Sequence, residues 1–192
     1  MHRTIRTMKK TVLTFGLIGG VVISALMLGT LPFAKKIGFE KSEFVGYTVM
    51  VLSFLMVFFG IRSYRENIGG GKISFGRAFA VGALITLIIS VCYVVTWEVM
   101  YFKLMPNFVN DYTTYLIEKM KAAGASQQMI DAKLQEMKQF KQMYDNPFMN
   151  AAISFVEPLP VGLIITLISS LVLRKKGTPL PPSREPAQRM AA

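Results

Sequence analysis

Histidine and cysteine are almost missing from this sequence, which holds one of each. His2 lies at the start of the chain, and Cys92 lies in the middle of an apolar segment. A zinc site needs several histidine or cysteine ligands, and a histidine-based triad needs a histidine in the folded core. We therefore predict no metal, no cofactor and no catalytic residues, and we take the protein not to be an enzyme.

Charged residues are also scarce, at 17% of the 192 residues, whereas 52% are apolar. A soluble domain carries roughly 25% charged residues. The net charge of +11 would suggest nucleic-acid binding in a soluble protein. Here the basic residues flank long apolar runs, which is typical of the orientation signal of a membrane protein. We expect no nucleic acid as a partner.

Four apolar runs are long enough to cross a bilayer. At ~1.5 Å per residue each run crosses ~30 Å of hydrocarbon, with flanking residues helping the second. Backbone groups in lipid must form hydrogen bonds with one another, which leaves helices or a closed β-barrel. Barrel strands alternate polar and apolar residues, and these runs do not. The sequence predicts an all-α membrane protein, a four-transmembrane-helix bundle within residues 1–176, with helices at about 11–34, 44–61, 78–102 and 151–173.

Lysine and arginine are divided unequally between the two ends of these helices. The end with the N-terminus, residues 62–77 and the C-terminal tail has 13 of them, and the other end has nine, mixed with acids. The side richer in lysine and arginine is cytoplasmic. We predict that both termini are cytoplasmic and that the proline-rich tail, 177–192, is disordered.

The long connection between the third and fourth helices, about 103–147, is predicted to lie on the extracytoplasmic side as a helical hairpin. Gly124 is a plausible helix end and Ser126 a plausible N-cap. Apolar residues flank this turn at helical spacing. The alternative is that the third and fourth helices simply extend beyond the bilayer. The apolar residues are Phe108, Tyr112, Tyr115, Leu116 and Met120, then Ile130, Leu134, Met137, Phe140 and Tyr144.

Small residues recur along each apolar helix. Lipid is as apolar as leucine, so close approach of helices at small residues is what holds a membrane bundle together. This pattern predicts a compact bundle and leaves the oligomeric state open, because such stripes also join homo-oligomers. The stripes are Gly16, Gly20 and Ser24; Gly46, Ser53 and Gly60; Ala78, Gly82, Thr86 and Ser90; and Gly162, Thr166 and Ser170.

Two carboxylates, Glu98 and Glu157, interrupt the apolar helices. Ionisable groups inside a membrane are costly and therefore mark candidate sites. From Arg77 to Glu98 the helix rises ~31 Å, and from Glu157 to Arg174 it rises ~25 Å, which puts both near the outer boundary. They either reach headgroups and lysines or converge on one outward-facing polar pocket.

The connection at residues 62–77 carries three glycines before Lys72. A phosphate-binding loop needs serine or threonine after that lysine, and Ile73 stands there, so no nucleotide site is predicted. The segment is interpreted as a tight cytoplasmic turn. Its basic residues are candidate contacts for anionic lipid headgroups, at about 1 kcal/mol each: Arg62, Arg65, Lys72 and Arg77.

Five stretches resemble a family of small bacterial inner-membrane proteins known as domain of unknown function 4199. They are residues 59–65, residues 70–79, Trp97-Glu98 with Tyr101, residues 124–126 and residues 160–164. The similarity covers about residues 8 to 176. It implies the bacterial inner membrane and agrees with four helices, and it implies no activity.

Two functional hypotheses follow from the sequence. The favoured one is a non-enzymatic membrane protein whose outer hairpin binds a partner or shapes the membrane. The alternative is a small transporter or channel with an outward-facing acidic site at Glu98 and Glu157.

Overall fold

The computed structural model describes residues 2–175, without the side chains of residues 2–7 and 34–36. Over this part the chain is helical and contains no β-strand. Four spans are long and apolar enough to cross a membrane, which confirms the predicted fold class. The predicted disordered tail, 177–192, lies outside the described residues. The spans are Met8–Phe33, Ile37–Asn67, Phe75–Leu104 and Pro147–Leu173.

Seven α-helices build these spans and the connection between the last two. The first span ends in a 3-10 turn at Leu31–Phe33, and the third ends in a π-helix at Met100–Leu104. The helices are α1 (His2–Thr30), α2 (Ala34–Asn67), α3 (Phe75–Val99), α4 (Phe108–Ala122), α5 (Gln127–Tyr144), α6 (Pro147–Val156) and α7 (Pro158–Leu173).

The second helix is longer than the predicted 44–61, because hydropathy marks only the part that lipid can cover. Helical structure includes charged residues at both ends, from Ala34 to Asn67, with one interruption. Gly38 kinks this helix with φ of 68° and ψ of 166°, a conformation that other residues rarely adopt.

The last span is two helices rather than the one predicted at 151–173. Pro158 lacks a backbone N–H, and its ring clashes with the carbonyl four residues earlier, so helical hydrogen bonding is interrupted at Glu157, whose own backbone stays helical with φ of −63° and ψ of −51°. The first half also begins earlier than predicted. Asn146 caps it by accepting bonds from the backbone N–H groups of Phe148 at 3.0 Å and Met149 at 3.3 Å.

The small residues predicted on the third and fourth spans meet at one seam between α3 and α7. Thr86 and Thr166 share a hydrogen bond of 3.0 Å, and both are fully buried. A Cβ added at Gly82 would lie 2.7 Å from Cγ2 of Thr166, and one at Gly162 would collide with Cγ2 of Thr86. Both stripes are therefore confirmed as packing surfaces.

The stripe on α1 faces α3 as well. A Cβ at Gly16 would lie 2.8 Å from Cδ1 of Ile88, and Ser24 Oγ lies 2.7 Å from Oγ1 of Thr96. On α2, Ser53 and Gly60 are buried, but a Cβ added at Gly46 would meet no packed atom within 4 Å. The prediction that Gly46 joins the packed stripe is therefore wrong.

The connection between α2 and α3 lies against the end of α7. Ile73 and Lys175 form an antiparallel bridge with two backbone hydrogen bonds of 3.2 and 3.0 Å. Gly70 and Gly71 have positive φ, as a tight turn requires. Residues 8–10, 62–77 and 174–175 therefore share one end of the bundle, which we call the basic end.

Candidate functional site

At the opposite end, α4 and α5 form a layer over the bundle that we call the helical cap. The two helices contact each other across a turn at Gly124, where φ is 74°. Ser126 caps α5 as predicted, accepting a hydrogen bond of 3.4 Å from the backbone N–H of Met129. The extracytoplasmic location of this cap stays a prediction.

A chain of buried hydrogen bonds ties the cap to the bundle. Trp97 Nε1, on α3, donates to the Tyr144 hydroxyl at 2.8 Å, and that hydroxyl lies 3.2 Å from Ser154 Oγ on α6. Asn150 is fully buried, and its Nδ2 donates to the Tyr144 carbonyl at 3.1 Å. Ser154 donates to Asn150 Oδ1 at 3.1 Å. Buried polar groups that are satisfied in this way fix one arrangement of the helices.

Aromatic rings surround this network and extend it to α2. Trp97 meets Phe108 edge to face, with ring centroids 5.3 Å apart. Phe39, next to the Gly38 kink, contacts three rings of α4 at centroid distances of 5.4 to 5.9 Å. Pairs of this kind stabilise packing beyond their buried area. The cap is therefore held by α2, α3 and α6 together.

An ion pair lies at the edge of the same junction. Tyr101 donates to Asp145 Oδ1 at 2.6 Å, and Lys141 Nζ lies 2.5 Å from Asp145 Oδ2. The hydrogen bond from Lys141 lowers the pKa of Asp145, and the bond from Tyr101 lowers it further. The ionised form of Asp145 therefore stabilises the packing of the cap against the bundle.

We expect Asp145→Asn to reduce stability only above the pH at which Asp145 is protonated. The pKa of Asp145 is lower in the folded state than in the unfolded state. Its contribution to stability is therefore fully present above the unfolded-state pKa and is lost as the pH falls through the folded-state pKa. The effect is at most about 1 kcal/mol because both side chains of the ion pair are partly exposed to solvent. Thermal unfolding in detergent at pH 6 and pH 3, read by the fluorescence of the single tryptophan, measures it.

Asp131→Asn is the matched control, since Asp131 lies on the cap but away from the junction and accepts a hydrogen bond from Gln127. An equal loss at pH 6 for both substitutions would contradict the role given to Asp145.

Glu157, one of the two predicted site residues, lies at the break between α6 and α7. Its Oε2 accepts a hydrogen bond of 2.7 Å from the buried Tyr93 hydroxyl, and the rest of the side chain is exposed. The break thus leaves the carboxylate at the surface while Tyr93 holds it against the bundle.

Glu98, the other predicted site residue, directly follows Trp97 on α3. Its Oε1 is buried, and no hydrogen-bond partner reaches it within the described part of the chain. No hydrogen bond joins Glu98 to Glu157 among those same residues. Burial raises the pKa of the Tyr144 hydroxyl, its bonds to Ser154 and Trp97 lower it, and the charges of Glu157 and Glu98 raise it again. Both carboxylates therefore lie within electrostatic reach of Tyr144, without forming one bonded site.

At the basic end, the four residues predicted to contact lipid headgroups differ in their bonding partners and in their exposure. Arg62 Nε and Arg65 Nη2 bond to the same Glu66 oxygen at 3.0 and 3.2 Å. Arg65 Nη1 also donates to the carbonyl of Leu173 at 3.4 Å, which caps α7. Lys72 and Arg77 are exposed. Arg65 thus has a structural role that the sequence did not suggest.

Sequence reasoning missed Tyr93, Asp145, Asn150 and Ser154 as parts of the junction. Asn150 was detectable, because an amide beside an apolar run must find partners. Tyr93, Asp145 and Ser154 each have a partner 10 or more residues away in sequence, and no local pattern marks that contact. Across residues 2–175, no group of three histidine, cysteine, aspartate or glutamate side chains is placed to hold a metal ion.

The family model for a protein of unknown function, DUF4199, matches residues 14–175, and the chain belongs to this family. The match begins inside the first span and covers the other three spans and the cap. No curated protein and no solved structure shows a similarity to the chain.

Proposed function

We propose that this DUF4199 member is a non-enzymatic, multi-pass protein of the bacterial inner membrane that binds a partner protein through its helical cap. The supporting observation is the fixed attachment of the cap. An extramembrane layer held by buried hydrogen bonds and ring contacts to three helices presents its outer surface in one orientation. Preorganised surfaces lose less conformational entropy on binding.

Three exposed apolar side chains of α5, which flank its buried face, are suited to an interface. Met129, Leu134 and Met143 are 58%, 43% and 40% exposed on α5, whose other exposed residues are mostly polar. Methionine adapts to irregular surfaces and is enriched at protein interfaces. The basic residues at the opposite end support a cytoplasmic location for the termini and an extracytoplasmic location for the cap.

Photocrosslinking tests this proposal. A photoreactive residue is placed at Met129, Leu134 or Met143, and as controls at Val91 and Val95, which are exposed on α3. The proposal predicts the same protein adduct from the cap positions in native membranes and its absence at the controls. Absence of any adduct from all three cap positions would refute it.

A small transporter or channel is the second candidate function, and Glu98 is the observation that favours it. A buried carboxylate oxygen without a partner is costly unless a proton or cation occupies it. Flux of protons or cations into liposomes should then be lost in Glu98→Gln and Glu157→Gln and kept in Glu118→Gln, which lies on the cap. No flux in the unaltered protein would eliminate this function.

A further inference from the structure

A groove of about 400 Å³ lies between α1 and α2 at the basic end. Its wall changes character along its length. The part toward the bilayer centre is apolar, and the part toward the surface is polar. The apolar lining is Phe15, Met56 and Phe59, and the polar lining is Arg62, Ser63, Glu66 and Asn67.

The groove follows the second span from its end toward its middle. Asn67 is the last residue of the second span, and Met56 lies 11 residues earlier, or ~16 Å along the helix. A ligand that fills the groove must therefore have a polar end at the surface and an apolar end in the membrane. A phospholipid has this shape.

The charge around the groove mouth favours an anion. The described residues of the basic end include a single acid, Glu66. Arg62 uses Nε to bond Glu66, and within the described residues its two terminal amino groups have no partner. These groups can donate to a phosphate. The basic side chains at this end are Lys9, Lys10, Arg62, Arg65, Lys72, Arg77, Arg174 and Lys175.

We propose that this groove binds one phospholipid with a net negative headgroup. An acyl chain lies along Phe15, Met56 and Phe59, and the phosphate meets the terminal amino groups of Arg62. Ser63 and Asn67, whose side chains are joined by a bond of 3.2 Å, line the headgroup position. Glu66 weakens the attraction by neutralising part of the Arg62 charge. The site is independent of the helical cap and of the function proposed for it.

Native mass spectrometry of the full chain in detergent tests the site, with phosphatidylglycerol and phosphatidylcholine as probes. The protein should bind phosphatidylglycerol more tightly. Arg62→Gln should reduce that preference about fivefold, whereas Arg77→Gln, a basic residue outside the groove, should reduce it less. Glu66→Gln should increase the preference for phosphatidylglycerol. Phe59→Ala should weaken the binding of both lipids equally.

Three results would overturn the proposal. The first is equal binding of the two lipids by the unaltered protein. The second is an equal loss of preference in Arg62→Gln and Arg77→Gln, which would indicate diffuse attraction to the whole end. The third is displacement of phosphatidylglycerol by inorganic phosphate, which would indicate a site for free phosphate. If Arg62→Gln fails to fold, the test is Glu66→Gln, which should increase the preference for phosphatidylglycerol. No increase in that variant would refute the site.

Discussion

Gly82→Leu is expected to destabilise the bundle by about 3 kcal/mol, because three helices meet at this glycine. A Cβ at position 82 would lie 2.7 Å from Cγ2 of Thr166, 2.9 Å from Cδ1 of Ile61 and 3.1 Å from Cγ1 of Val57. The larger side chain would push α3 away from α7 and lengthen the nearby hydrogen bond between Thr86 and Thr166. In a membrane no hydrophobic force restores that contact. Thermal unfolding in detergent measures the loss.

Gly46→Leu is the matched control for this substitution. Gly46 also lies inside a membrane helix, but nothing lies within 4 Å of its added Cβ. We expect a change within about 0.5 kcal/mol, as for surface positions in general. Similar destabilisation by both leucines would show that close packing at the seam does not determine the effect, since leucine is a better helix former than glycine.

Trp97→Ala is expected to release the helical cap while the four spans stay folded. The substitution removes the ring packed on Phe108 and the hydrogen bond to Tyr144. Loss of a packed tryptophan costs about 3 kcal/mol or more, which is roughly a hundredfold in the equilibrium for opening. Hydrogen exchange should speed up in peptides from 108–144 and change little in peptides from 78–96.

Two milder substitutions separate the parts of this effect. Trp97→Phe keeps a ring against Phe108 but loses the N–H donor, and Tyr144→Phe loses the acceptor. Each should give a smaller increase in the exchange rate than Trp97→Ala. The increase should correspond to the loss of about 1 kcal/mol, the contribution of one hydrogen bond. Unchanged exchange of the cap in Trp97→Ala would refute the idea that this junction holds it.

The fold could be predicted from the sequence because the membrane reduces the choices. Peptide groups cannot remain unpaired in lipid, so each long apolar run must be a helix. The packing surfaces were also predictable for three helices, since small residues four apart, such as Gly82 and Thr86, share one helical face. Gly46 was predicted wrongly because the same residue type is also tolerated where a helix faces lipid.

The cap junction could not be predicted in the same way. Trp97 and Tyr144 are 47 residues apart, so their pairing depends on how α3 meets α5. Tyr93 and Glu157 are 64 residues apart, and their pairing depends on how α3 meets the junction of α6 and α7. The kink at Gly38, which lies beside the Phe39 contact with α4, has only one glycine as its local signal. Pairwise contacts between distant segments follow from tertiary geometry, which periodicity does not contain.

The central claim is that four helices cross the bilayer and leave the basic end and the helical cap on opposite sides. Single cysteines at two exposed sites, Gly76→Cys and Ala123→Cys in a Cys92→Ser background, test it with a membrane-impermeant maleimide on intact bacterial spheroplasts. We predict that position 123 reacts at once and that position 76 reacts only after permeabilisation. Reaction of both positions from the same side would contradict the account.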